Sequence, residues 1–238
     1  MINNREIKLI NSLKRKKNRI EEGLFVVEGE KNVEELLDSN FQILDIYATD
    51  EWLVDVEHIK VSSKDLGRIT SLSTPNKVLA LVKIPISNSI NLGITSLVID
   101  GVNDPGNLGT IIRTANWFGI KQIICSGNSV DKFNPKVIMA SMGSIFKTDV
   151  IYTDLHQFLL DSKLPVYGAL LKGESIFNSK INSPCCFLLG SESHGISDEL
   201  TPLITHKTTI PGGENTESLN LGISAAIYCS EYFKQNSI

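Results

Sequence analysis

The chain has 238 residues, 42% hydrophobic and 21% charged, with a formal net charge of −4. That is the composition of an ordinary globular protein, and its acidic total gives no global support to polyanion binding. The longest apolar runs, ITSLVIDGV and CCFLLG, fall far short of the ~20 residues of a membrane span. The charges interleaved through MINNREIKLINSLKRKKNRI leave no signal-peptide core, so a cytoplasmic location is expected. Cys125, Cys185, Cys186 and Cys229 lack metal-ligand spacing and read as small buried hydrophobes, so no metal and no disulfide is expected.

In chain order, the first twenty residues set Arg5, Lys8, Lys14, Arg15, Lys16, Lys17 and Arg19 against one acid, Glu6. Lys14, Arg15, Lys16, Lys17 and Arg19 are therefore candidate RNA-binding residues. Charge alone equally allows a solvated helix face balanced by Glu21, Glu22, Glu28 and Glu30. A helix is expected over residues 4–19, then a strand at LFVVEG and a second helix at EKNVEELLDS, where Val33, Leu36 and Leu37 share a face. ILDIYAT and HIKVS read as strands, SSKDLGRITS as a short helix capped by Ser62 or Ser63, and VLALVKI as a closing strand. Together they make a small α/β domain over residues 1–84. IPISNSINLG, with Pro85 and Gly93, has linker composition and fills residues 85–94.

Beyond the linker the apolar runs SLVIDGV, QIICS, DVIY, PVYGALL and CCFLLG alternate with helix-compatible stretches, the pattern of a parallel sheet covered on both faces. A last helix is expected from Glu217 to Phe233. The turn after SLVIDG carries neither a dinucleotide fingerprint nor a P-loop, and GSESHG does not make a nucleophile elbow, so His194 reads as a polar loop residue. On a helical wheel Ile111, Ala115 and Phe118 cluster, with Ile112 at their border, while Thr110, Arg113, Thr114 and Trp117 face the other way. Arg113 thus points away from the core of its helix. It either meets a ligand, nucleic acid or second subunit, or packs over an exposed tryptophan. Two further strand ends lead into glycine-bearing polar loops, Gly190-Ser191-Glu192-Ser193-His194-Gly195 and Gly212-Gly213-Glu214-Asn215. Ligands of open α/β sheets bind at such carboxyl ends.

Three segments carry a resemblance. NLGTIIR (Asn107, Arg113), GSESHGIS (Gly190, Glu192, Gly195, Ser197) and IPGGENTESLN (Ile210, Pro211, Ser218, Leu219, Asn220) together resemble the SPOUT superfamily, and within it the SpoU-type (TrmH-like) RNA ribose 2′-O-methyltransferases. They fall in the family's order over residues 95–234, and FVVEGEKNVEELL more loosely resembles the family's substrate-binding module. The resemblance implies an α/β fold in which residues 95–238 form a parallel-sheet domain tied into a deep trefoil knot, a rarity among proteins. It also implies a homodimer through that domain, and S-adenosyl-L-methionine bound mostly by backbone groups. Gly190, Ile210 and Leu219 are expected to line the cofactor site, with Leu170 and Ser218 as additions.

The implied reaction is methyl transfer to a ribose 2′-hydroxyl in structured RNA, ribosomal rather than transfer RNA. A tRNA methyltransferase and a non-catalytic RNA-binding protein of the same fold are the alternatives. Arg113, Asn107, Glu192, Ser218 and Asn220 form the expected catalytic set. Arginine would be a surprising base, since proteins do not normally deprotonate it, so Arg113 is expected either to clamp a phosphate, the favoured role, or to stabilise a developing alkoxide. Asn107 orients the arginine or the ribose, or caps its helix. Glu192 pairs with Arg113 or fixes the motif loops. Ser218 and Asn220 hold substrate or a neighbouring loop, one of them being a helix cap. Gly212 and Leu221-Gly222 depart from the family pattern, the first where a looser cofactor loop would result.

Overall fold

The computed structural model describes residues 2–86, 89–213 and 218–236. Ser87 and Asn88 of the linker, and Glu214, Asn215 and Glu217 around the third motif, lie outside the described residues. Two compact units emerge: Met1–Ile86 with Asp131–Phe146, and Ser87–Val130 with Lys147–Ile238.

In the first unit, two helices replace the single one expected over 4–19: α1 (Asn4–Ser12) and α2 (Lys16–Glu22). Asn3 and Glu6 cap α1 reciprocally. The break after Leu13 is held by Arg19, whose Nη1 donates to the carbonyls of Leu13 (2.8 Å) and Lys14 (3.1 Å). Those acceptors would otherwise be orphans of the helix end. Arg19 is only 2% exposed, and its Nε (2.9 Å) and Nη2 donate to Asp131. A guanidinium so enclosed cannot reach a phosphate backbone, so Arg19 leaves the expected RNA-binding set and becomes a structural residue.

The chain continues through β1 (Leu24–Glu28), α3 (Glu30–Leu37), β2 (Ile43–Ala48), β3 (Ile59–Lys60), α4 (Ser63–Ile69) and β4 (Val78–Lys83). Ser62 is the cap of α4, accepting from Asp65 N. The sheet order is β1-β4-β2-β3, with β4 antiparallel to both β1 and β2. Ile10, Leu13, Val26, Tyr47, Leu66, Ile69 and Leu79 meet in one cluster over this sheet.

The second unit is built on β5 (Ser96–Asp100), α5 (Pro105–Trp117), β6 (Gln122–Cys125), β7 (Asp149–Tyr152), α7 (Leu155–Ser162), β8 (Val166–Ser175), β9 (Cys186–Gly190), β10 (His206–Thr209) and α8 (Leu221–Asn236). All six strands are parallel, in the order β10-β8-β9-β5-β6-β7. Strand alternation splits the apolar residues between two faces. Val98, Ile124, Ile151 and Leu188 pack with Leu155, Phe158 and Leu159 of α7, while Phe187 meets Tyr228 and Tyr232 of α8 on the other side. Helix α8 begins at Leu221 and runs to Asn236, later at both ends than the sequence pattern indicates. The four cysteines are buried. Among the described residues no helix is long and apolar enough to cross a membrane.

Between β6 and β7 the chain contributes α6 (Pro135–Ser141) and its flanks to the first unit. Phe133 stacks on Phe25 with centroids 4.2 Å apart, and Phe146 meets Phe41 edge-on at 5.2 Å. Asn32 Nδ2 also approaches Met139 Sδ at 3.3 Å.

Candidate active site

Parallel strands put all their carboxyl ends on one edge of the sheet. From β5 the chain passes to β6 and β7 on one side, and later fills β8, β9 and β10 on the other. The crevice at such a reversal of strand order is where open α/β sheets take ligands. Both α5, after β5, and the loop after β9 start there.

Asp104 caps α5, its Oδ1 accepting from Asn107 N at 2.9 Å, and Pro105 occupies the first helical position. The cap role weighed for Asn107 therefore falls to Asp104, which leaves the Asn107 side chain for long-range contacts. Its Nδ2 donates to Glu192 Oε1 at 2.8 Å. Asn220 Nδ2 donates to the same oxygen at 2.7 Å and to Asn107 Oδ1 at 3.0 Å. Leu221 N completes the set at 3.3 Å. Asn220 Oδ1 meanwhile accepts from Gly222 N (2.9 Å) and Ile223 N (3.3 Å), making Asn220 the cap of α8.

The three motif segments are thus tied together by a carboxylate placed against the positive end of α8. Glu192 fixes the loops; it does not pair with Arg113. No carboxylate among the described residues pairs with Arg113, which stands exposed on α5 beside Trp117, itself 80% exposed. Ser218 is exposed and takes no part in this network.

The loop after β9 is shaped by its glycines. It doubles back so tightly, Ser191 N to Gly195 O at 3.0 Å and Gly195 N to Ser191 O at 2.9 Å, that a Cβ on Gly190 would stand 1.9 Å from the Gly195 carbonyl carbon. Gly195 closes it at φ +68°. Asp100, at the end of β5, holds the far side by accepting from Ser197 N at 2.7 Å. The motif patterns missed Asp100 and Asp104. A carboxylate at a strand end and an Asp-Pro before a helix are the signals that could have found them.

Of the expected cofactor-lining residues, Gly190 ends β9, Ile210 follows β10, Leu170 lies within β8, and Ser218 and Leu219 precede α8; β10, β8 and β9 are adjacent. Lys207 pairs with Gly168, but Thr208 pairs with Glu174, so residues 169–173 of β8 leave the β10 ladder. Leu170 lies in this excursion and is half-buried, as are Gly190 and Ile210; Ser218 and Leu219 are exposed. Main-chain groups released from a ladder, beside half-buried apolar side chains, fit the adenosine part of S-adenosyl-L-methionine, whose ring has apolar faces and a polar edge. Of the basic set in the first unit, Lys14 Nζ donates to Thr70 O (2.8 Å), Lys17 lies 3.7 Å from Glu21, and Arg15 and Lys16 are exposed.

Residues 94–230, more than half of the chain, match the model of the SpoU rRNA Methylase family, and residues 4–80 match that of the MRM3-like substrate binding domain. The 23S rRNA (guanosine(2553)-2′-O)-methyltransferase RlmP of Bacillus subtilis is 29% identical over 94% of each chain. Among solved structures, a protein of the TrmH family from Porphyromonas gingivalis is 35% identical, with a TM-score of 0.91 over 99% of this chain and 100% of its own. An AdoMet-bound rRNA methyltransferase from Sinorhizobium meliloti is 28% identical, with a TM-score of 0.87 over 99% and 97%.

Proposed function

Because the chain belongs to the SpoU rRNA methylase family, we propose that it carries a methyl group from S-adenosyl-L-methionine to a ribose 2′-hydroxyl of ribosomal RNA. The names of the matched relatives support ribosomal over transfer RNA. The observation that carries the reading is the hydrogen-bonded union of Asn107, Glu192 and Asn220, with Arg113, on the same helix as Asn107, exposed and without a carboxylate partner among the described residues.

When bound, S-adenosyl-L-methionine supplies a methyl on a sulfonium, whose bonding pair stays on sulfur as the carbon is transferred. Leu170, Gly190, Ile210, Ser218 and Leu219 hold it. Arg113 clamps a phosphate of the RNA bidentately and so fixes the ribose. The ribose 2′-hydroxyl would thereby be presented to the methyl donor, giving up its proton to water or phosphate as it is methylated. Asn107, Glu192 and Asn220 act one step back, keeping the crevice in the arrangement that the clamp requires.

Residues 1–84 serve as the RNA-holding domain, with Lys14, Arg15, Lys16 and Lys17 facing phosphate. Residues 95–238 form the knotted methyltransferase domain. Two copies pair across α5 and α8, where the exposure of Trp117, Ile223 and Phe233 supports an interface.

Incubation with methyl-labelled S-adenosyl-L-methionine and total RNA tests the reading. The unaltered protein labels ribosomal RNA; Arg113→Ala lowers the rate by about 100-fold, the usual loss for removing one positioned charge or donor, with cofactor binding unchanged. Cofactor binding without transfer to any RNA overturns it in favour of a non-catalytic RNA-binding protein.

A further inference from the structure

A cavity of about 550 Å³ opens at the carboxyl ends of β5, β6 and β7, and none of the three motif segments lines it. Leu155 and Leu200, both buried, give it an apolar surface. Its polar lining is rich in acceptors. Asp100 and Asp154 each commit one oxygen, to Ser197 N and Gln157 N. Glu199 is exposed and has no partner among the described residues. Asn128, also in the lining, accepts at Oδ1 from Ser126 Oγ at 2.6 Å, and its Nδ2 has no hydrogen-bond partner among the described residues.

This chemistry narrows the occupant. Among the described residues no three His, Cys, Asp or Glu side chains converge to hold a metal ion. Three carboxylates repel a phosphate. A flat ring with two neighbouring donors and an adjacent acceptor satisfies the lining, and of the four RNA bases only guanine offers that edge: N1–H and N2–H for a carboxylate fork, O6 for an amide N–H. The volume is ample for one base. A Cβ on Gly101 would meet Ser191 Cβ at 3.5 Å and Asn128 Nδ2 at 3.8 Å, so this cavity and the loop bearing Glu192 share a wall.

We infer that the cavity receives a guanine splayed out of the RNA beside the methylated ribose, Glu199 accepting from N1–H and N2–H and Asn128 donating to O6. The inference rests on the methyltransferase reading above. Fluorescence anisotropy with single-stranded oligouridylates carrying one central guanosine, inosine or adenosine tests it. The guanosine probe binds about tenfold tighter than the inosine probe, which lacks the 2-amino group, as expected for a lost hydrogen bond to a charge. Glu199→Gln and Asn128→Ala each bring the guanosine probe towards the level of the others and leave the adenosine probe unchanged. Equal affinity for the three probes, including no measurable binding to any, overturns the inference, as does a guanosine preference that survives both substitutions. Label transfer to total RNA reads the enzymatic function independently: transfer without guanosine preference removes only the cavity assignment, whereas absence of transfer removes the methyltransferase reading itself.

Discussion

Asn220 does two jobs with one amide. Its oxygen caps α8, and its nitrogen bridges Glu192 and Asn107. Substitutions separate them. Asn220→Ala removes both and costs about 1 kcal/mol of stability for the lost cap, measured by urea unfolding, together with most of the transfer rate. Asn220→Asp keeps the cap oxygen but turns a second carboxylate towards Glu192. Its stability stays closer to that of the parent, while methyl transfer falls at least as far as in Asn220→Ala. Equal loss of stability and activity in both variants would contradict the division. The identity of these residues was legible from their motifs, but their partners were not. Glu192 invited pairing with Arg113 on charge, whereas its actual donors are neutral amides 85 and 28 positions away, and nothing local marks an amide as reserved for a distant carboxylate.

At the level of elements, the strands of the second sheet were readable because burial on both faces demands continuous apolar runs, and SLVID, QIIC and CFLL supply them. The core face of α5 was readable too: Ile111, Ile112 and Ala115 are fully buried. The split of residues 4–19 was not, because its cause lies 112 positions from Arg19, at Asp131. Periodicity registers a charged residue as solvent-facing; it has no means to register a partner from another part of the chain. Arg19→Ala leaves Asp131 without its cation and the carbonyls of Leu13 and Lys14 without a donor. The expected loss is about 3–5 kcal/mol, the range for breaking a buried pair from one side, seen as a lower urea midpoint. Arg19→Lys recovers only part of it, since one ammonium cannot replace a fork that serves Asp131 and two carbonyls at once. A midpoint unchanged in Arg19→Ala would return this residue to the surface.

For the molecule as a whole, burial pushes Cys185 and Cys229 up to about 12, Cys186 up to about 11 and Tyr228 up to about 12. The unfolded chain gives up these protons first, the thiols near pH 8.5 and the phenol near 10. Their contribution to stability is therefore complete below about pH 8.5 and drains away as the pH climbs towards 12, by up to about 1.4 kcal/mol per pH unit for each group. Melting temperatures should be level from pH 7 to about 8.5 and decline beyond it; a profile flat to pH 11 would contradict this burial. The two α/β patterns could be read along the chain, but the detour of residues 131–146 could not, since NPKVIMAS reads as any crossover helix whichever core it fills. That detour has a consequence for biosynthesis. Phe25 and Phe41 are made early, yet Phe133 and Phe146, which cover them, emerge only after β5 and β6 have been translated. A nascent chain on the ribosome thus holds an N-terminal core with aromatic surface still open, the kind of intermediate that chaperones shield, and order of synthesis is not order of completion.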